Sequence, residues 1–228
     1  VNFSTDALQA GSNAASLLQA KNLSHSYGSF QVLAPLNFSL SAGEISVLEG
    51  PNGSGKSTLL LCLSGLLRPT SGEVHVGGFD AYSDDPGAKR LMALVPDVPR
   101  FYFELTAWEH LKFIAQAHDA ADGFDERAES LMKAFGLWQA KDLLPHHFSR
   151  GMSLKLGLLF ALVRPFKVLL LDEPTSALDA DSRLLLMHKL DELKRDGVAI
   201  LLSTHNPQLK TGLADHAYRL SDGALTPV

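Results

Sequence analysis

Residues 50–57, Gly50-Pro51-Asn52-Gly53-Ser54-Gly55-Lys56-Ser57, constrain this chain more than any other stretch. They fit the pattern G-x-x-x-x-G-K-[ST], with an apolar run at 45–48 leading in and an apolar helical run from Lys56 leading out. Glycines let a backbone wrap closely around an anion with several N–H groups pointing inward. The helix N-terminus that follows adds a field favouring negative charge. In that setting Lys56 is expected to reach the β- and γ-phosphates of a nucleotide, and Ser57, followed by Thr58, to stand at a magnesium ion. A Gly-rich turn with no ligand has no need for a lysine, a hydroxyl and three glycines in this order.

A second signal lies downstream. Leu169-Leu170-Leu171-Asp172-Glu173-Pro174 reads as a buried strand ending in two acids. Such an end holds Asp172 near the magnesium shell and leaves Glu173 facing an attacking water. Alone, the pair reads equally as turn or capping chemistry. Behind a phosphate loop it reads as catalytic.

The rest of the chain fits one α/β domain. Its 228 residues suffice for a single well-formed core. Short strands are expected at 23–27, 38–40, 44–48, 73–76 and 92–95, with a helix at 56–66. Residues 98–164 change character: Trp108, Leu111, Ile114 and Ala115 share a helical face, and further helices are expected around 131–137 and 153–163. This block reads as a helical lobe inserted in the core. A strand at 168–171, a helix at 180–195 and a strand at 198–203 then complete a crossover. Residues 1–17 are expected to form a flexible N-terminal segment.

Composition excludes several classes. A net charge of −5 with no long basic run argues against nucleic acid as a partner. The single cysteine, Cys62, has no intrachain partner and falls in an apolar helical pattern, which fits an inert core thiol in a reducing compartment. No stretch approaches the roughly 18 to 20 apolar residues that span a bilayer. His146-His147 reads as a solvated turn, since adjacent residues diverge and no third metal ligand is placed.

Taken together, the chain resembles the nucleotide-binding domains of ATP-binding cassette (ABC) proteins from about residue 18 to residue 225. Phe148-Ser149-Arg150-Gly151-Met152 stands where the family has its Leu-Ser-Gly-Gly-Gln signature, Ser176-Ala177-Leu178-Asp179 at the D-loop, His205 at the switch histidine and Tyr27 at the aromatic that stacks on adenine. The resemblance implies a P-loop NTPase core with a mixed sheet, an N-terminal antiparallel β subdomain and the inserted helical lobe. It also implies a head-to-tail dimer with two ATP molecules, each held between one phosphate loop and the other copy's Ser149 and Gly151. His205 would then hold the γ-phosphate and the water in line with Glu173. In isolation, His205 and Tyr27 read as strand-end residues.

The chain departs from the family pattern in three places. The signature carries Arg150 for its first Gly and Met152 for Gln, a form resembling the exporter-associated ABC-2 branch. Arg150 is expected to pair with phosphate or a partner carboxylate. Asp97 stands where the Q-loop glutamine is expected, and its carboxylate is a candidate third group at the magnesium with Ser57 and Asp172. Ser153-Leu154-Lys155-Leu156-Gly157 replaces the polar run after the signature. Just past Asp97, Arg100-Phe101-Tyr102-Phe103-Glu104 reads either as a docking site for a membrane partner or as packing inside the helical lobe.

The leading expectation is an ATP-hydrolysing motor on the cytoplasmic face of a membrane, using ATP and Mg²⁺. Its expected partners are separate transmembrane permease subunits and a second copy of itself or a paralogous ABC subunit. A soluble ABC ATPase of a protein or cofactor assembly system is the rival. A switch that binds ATP and hydrolyses it poorly is a third reading, opposed by Glu173 and His205.

Overall fold

Three consecutive apolar strands set the architecture. In β3 (Ile45–Glu49), β7 (Val168–Asp172) and β8 (Ala199–Ser203) almost every residue is buried, because the sheet they build is covered on both faces. Alternation assigns their side chains. Ile45, Val47, Leu169, Leu171, Ile200 and Leu202 pack into one cluster, and Leu48, Val168, Leu170, Ala199 and Leu201 into the other.

The protein is described here from a computed structural model covering residues 16–83, 85–205 and 207–228. Two sheets form. The six-stranded sheet runs β10-β9-β3-β8-β7-β6, where β6 is Met92–Val95, β9 His216–Ser221 and β10 Ala224–Pro227. Its β9-β3-β8-β7-β6 pairs are parallel and β10 closes one edge antiparallel, so the sheet is mixed as expected. The second sheet is antiparallel, ordered β2-β1-β4-β5, from β1 (Ser16–Tyr27), β2 (Phe30–Ser41), β4 (Ser71–Val76) and β5 (Phe79–Asp80).

Helix α1 (Lys56–Leu63) lies between the sheets, with Leu59, Leu60, Cys62 and Leu63 in their shared core. Its apolar residues point in several directions, as befits a helix covered on most sides. On the other face, α5 (Arg150–Leu162) packs against β6 and α6 (Ala180–Arg195) against β8, while α3 (Ala107–Ala117) and α4 (Phe124–Ala134) pack on α5. Helices α3, α4 and α5 occupy the block expected to be helical. A full capping box starts α3: Thr106 Oγ1 accepts from Glu109 N, and Glu109 accepts from Thr106 N.

The structure departs from the sequence expectations in several particulars. The hairpin strands β1 and β2 are 12 residues each, far longer than 23–27 and 38–40. Register shifts between Ala20 and Leu23, with Asn22 at φ 47°, break the alternation that signals a strand. Because β1 begins at Ser16, only residues 1–15 of the segment expected to be flexible remain, and they lie outside the described residues. Helix α1 ends at Leu63 rather than 66. The short helix α2 (Gly87–Leu91), helix α7 (Pro207–Leu213) and strands β9 and β10 carried no reading in the sequence. Among the described residues no helix is long and apolar enough to cross a membrane.

Candidate nucleotide site

The phosphate loop leaves β3 at Glu49 and enters α1 at Lys56. Gly50, Gly53 and Gly55 all have positive φ, at 153°, 80° and 102°. A Cβ on Gly50 would stand 2.3 Å from Leu220 O, and one on Gly55 would stand 2.9 Å from Val32 Cγ1. Two of these glycines are thus required by both backbone and space. Lys56 is buried and folds back over the loop, donating from Nζ to Gly50 O at 2.8 Å and Pro51 O at 3.1 Å. The buried hydroxyl of Ser54 has no hydrogen-bond partner among the described residues. A cationic group bonded only to carbonyls and an orphaned hydroxyl, in a loop of positive-φ glycines, form a cradle suited to phosphate.

The acidic strand end faces this cradle. Asp172 closes β7, and its Oδ1 accepts from Ser203 Oγ of β8 at 2.6 Å. Ser203 also holds the next residue: Glu173 N donates to Ser203 Oγ at 3.0 Å and to Ser203 O at 3.2 Å. Glu173 is turned into the left-handed region at φ 46°, uncommon for a residue with a side chain and concentrated at functional sites. His205 N donates to Glu173 Oε2 at 3.3 Å, and its ring Nε2 stands 3.3 Å from Oε1 without hydrogen-bond alignment. Thus β7 and β8 present Asp172, Glu173 and His205 as one cluster.

Lys56, Ser57, Thr58, Asp172 and Glu173 line one pocket of about 380 Å³, joined by Asn52, Gly53 and Gly55 of the loop and by Val32 and Asp97. Sequence reasoning did not single out Val32, which no motif marks and which meets the loop at Gly55. His205 opens instead onto a neighbouring pocket of about 520 Å³ with Gly50, Pro51, Lys210 and Arg219. Two cations there, Lys210 and Arg219, are met by Glu49 at 2.9 and 3.7 Å.

Three expected nucleotide contacts lie elsewhere. Tyr27, at the end of β1, is half exposed and meets His25 edge-on, with ring centroids 4.6 Å apart. Ser149 caps α5, its Oγ accepting from Met152 N at 3.2 Å. Gly151 lets the first turn of α5 press on the loop after β7, since a Cβ would stand 2.7 Å from Ala177 O. None of the three lines the pocket with Lys56 and Glu173.

The structure gives Arg150 and Asp97 a partnership that the sequence reading lacked. Arg150, expected to meet phosphate or a partner's carboxylate, donates to Asp97 Oδ1 at 3.0 Å and Oδ2 at 3.2 Å within its own chain. Ser176 Oγ donates to Asp97 Oδ1 at 2.7 Å. Ser57 and Asp172 suit a divalent cation beside phosphate, an oxygen-only set next to an anion cradle. Asp97 lines the same pocket, with its carboxylate bonded to Arg150 and Ser176.

The aromatic run after Asp97 divides between its two readings. Phe101 packs inward, edge-on to Phe160 and His110 at 5.6 and 5.7 Å, while Tyr102 and Phe103 stay exposed. His146 and His147 fall in a 3-10 turn, and among the described residues no group of three metal-ligating side chains occurs.

Comparison with known proteins agrees with this geometry. Residues 33–176 match the family described as ABC transporter. The SkfA peptide export ATP-binding protein SkfE of Bacillus subtilis (strain 168) is 34% identical over 210 residues, covering 92% of this chain and 87% of SkfE. The linearmycin resistance ATP-binding protein LnrL of the same organism is 31% identical over 214 residues, covering 93% of this chain and 68% of LnrL. Among solved structures, an ATP-binding subunit of an ABC transporter superimposes with a TM-score of 0.86 at 32% identity, over 93% of this chain and 90% of that one. The dimeric MJ0796 cassette shares the fold, with a TM-score of 0.83 at 24% identity over 92% and 98% of the two chains.

Proposed function

Because this chain belongs to the ABC transporter family of ATP-binding proteins, we propose that it drives a separate membrane permease by closing and reopening a head-to-tail dimer around two ATP molecules. The chain is an ATP-binding, ATP-hydrolysing subunit. One observation carries the dimer reading. The pocket with Lys56 and Glu173 is open and lacks Ser149 and Gly151, which stand at the N-terminal end of α5, where a helix favours an anion. A second copy turned head to tail supplies that helix end.

In this reading Lys56 exchanges its carbonyl partners for the β- and γ-phosphates, and the glycine-lined N–H groups hold the remaining oxygens. Ser57 and Asp172 would hold Mg²⁺, which neutralises charge on the phosphates. Glu173, fixed by Ser203 and by the backbone of His205, takes the proton from the attacking water. His205 keeps that carboxylate and the water in line. Tyr27 offers its exposed ring to the adenine, and Val32 continues that apolar wall toward the loop.

The membrane side of the proposal rests on exposed large apolar side chains: Val98 in the pocket that holds Asp97, Tyr102 and Phe103 in a second one that shares Arg100 with it, and Phe113 edge-on to Tyr102. Such a patch suits a short segment of a permease. It would put the protein on the cytoplasmic face of the membrane, where ATP is. SkfE is named for peptide export, and export is the direction we propose here.

Mg²⁺-dependent ATP binding measured by calorimetry tests the site. Replacing Lys56 with Ala should weaken binding by about 3 kcal/mol, the scale of losing one charged clamp in a phosphate cradle. Equal affinity in the two proteins removes the phosphate loop from the mechanism.

A further inference from the structure

His110, on α3, is only 2% exposed, so both of its ring nitrogens need partners inside the protein. Both partners are backbone groups. Nδ1 lies 2.8 Å from Thr106 O, and a carbonyl can only accept, so Nδ1 carries the proton. Nε2 is then bare, and it accepts from Tyr102 N at 2.9 Å. An imidazole meets both demands only as the neutral ring protonated on Nδ1.

Aromatic rings surround this histidine. It stacks on Phe160 of α5 at 5.6 Å and 19°, meets Phe101 edge-on at 5.7 Å, and lies nearly parallel to Tyr102 at 6.0 Å and 23°. The loop leading into α3 is therefore held along its length. Phe101 packs inward, the Thr106–Glu109 capping box closes the far end, and the His110–Tyr102 bond anchors the backbone between them. Among the described residues no other backbone N–H of 101–105 donates to the protein. Exposed Tyr102 and Phe103 stand on this anchored segment, and Tyr102 meets Phe113 edge-on at 5.7 Å. Both exposed rings wall a pocket of about 350 Å³.

We propose that His110 is the positioning residue of this aromatic surface: its Nδ1-protonated ring holds the Tyr102 amide and thereby sets where Tyr102 and Phe103 stand. The use of the surface by a permease segment rests on the reading above; the hydrogen-bond geometry stands without it. A side chain with no acceptor at this place leaves the Tyr102 N–H to water, and residues 102–105 lose their backbone anchor. The two exposed rings then spread over many orientations, and a partner has to order them on binding. Holding them in place beforehand lowers that cost. The role belongs to the acceptor at Nε2, since any flat ring could supply the packing against Phe160.

Amide exchange and ring contacts, read by NMR on the chain without nucleotide, test this role. His110→Phe keeps a flat ring and removes both nitrogens. His110→Asn keeps a donor near Nδ1 and reaches no further, while His110→Gln puts an amide oxygen near Nε2. The Tyr102 amide should exchange roughly tenfold faster in His110→Phe and His110→Asn, and His110→Gln should restore most of its protection. Cross-peaks between the Tyr102 and Phe113 rings should weaken and return in the same pattern. Amides of residues 111–117 should keep their rates, which separates loss of the anchor from loss of the helix. In the unsubstituted protein the ring-nitrogen spectrum of His110 should place the proton on Nδ1, a readout that needs no variant to fold. A proton on Nε2, Tyr102 exchange and ring contacts unchanged in His110→Phe, or no rescue by His110→Gln overturns the proposal. A permease that docks elsewhere removes the use of the surface and leaves each of these results in place.

Discussion

At Glu173 the chain accepts a left-handed backbone, a conformation that costs of order 1–3 kcal/mol for a residue with a side chain. Both hydrogen bonds from its N–H end on Ser203, and its carboxylate is met by the His205 backbone. In the proposed mechanism this carboxylate takes the proton from water. Glu173→Gln keeps the shape and cannot accept a proton, so turnover should fall about 100- to 10,000-fold while ATP affinity stays. Normal turnover in that variant, measured by phosphate release, takes Glu173 out of the chemistry. Cys62 makes the opposite case. Burial pushes its thiol up to about 12, so almost none of it is thiolate at neutral pH. It should resist a thiol reagent in the native protein and react once urea has unfolded the chain; rapid native labelling contradicts the buried assignment. At this scale the sequence was legible wherever the candidate site is a contiguous motif: the loop 50–57, Asp172 and Glu173. It was silent on Ser203, which joins the two acids from another strand. It was silent too on the Asp97–Arg150 pair, whose partners are 53 positions apart and meet only through the fold.

At the level of elements, strands buried on both faces were the easiest to read. The runs around Val47, Leu170 and Leu201 are continuous and apolar because helices cover both sides. The long hairpin was harder, since its bulges at 20–25 scramble the period of two that marks a half-buried strand. Strand β9 has few buried side chains and no clean alternation, so nothing local announces it. Its placement depends on Asp215, just before it, which pins two elements. Oδ2 accepts from Ile45 N at 2.8 Å at the start of β3, and Oδ1 meets Lys194 Nζ at 2.6 Å near the end of α6. Partial burial pulls its carboxyl upward, but the Ile45 N–H and the Lys194 ammonium outweigh this and hold it below the usual range. A depressed folded-state value gives stability that is complete above the unfolded value, near pH 4, and that is lost as pH falls through the folded one. Asp215→Asn should therefore lower the urea midpoint at pH 7, with the two proteins converging as pH falls through the folded-state value. A gap of constant size across that range contradicts the charge-based account. Helix α5 offers a second check. Ser149→Ala removes the cap at Met152 N and should cost about 1 kcal/mol of stability.

For the whole molecule, the proposal divides the nucleotide site between two places on one chain. Lys56, Ser57, Asp172 and Glu173 share a pocket, and Ser149 and Gly151 do not reach it. In the proposed dimer a single copy holds ATP on one side only, and pairing two copies completes both sites at once. The sequence carried both halves as motifs, but their separation in space follows from α5 docking on the loop after β7 through Gly151 and Lys155. Light scattering on the Glu173→Gln variant, with and without Mg²⁺ and ATP, tests this arrangement most directly. The account predicts that ATP shifts the protein from the mass of one chain to that of two, and that adding Ser149→Arg to the variant abolishes the shift. A protein that binds ATP and keeps the mass of one chain at every concentration contradicts it.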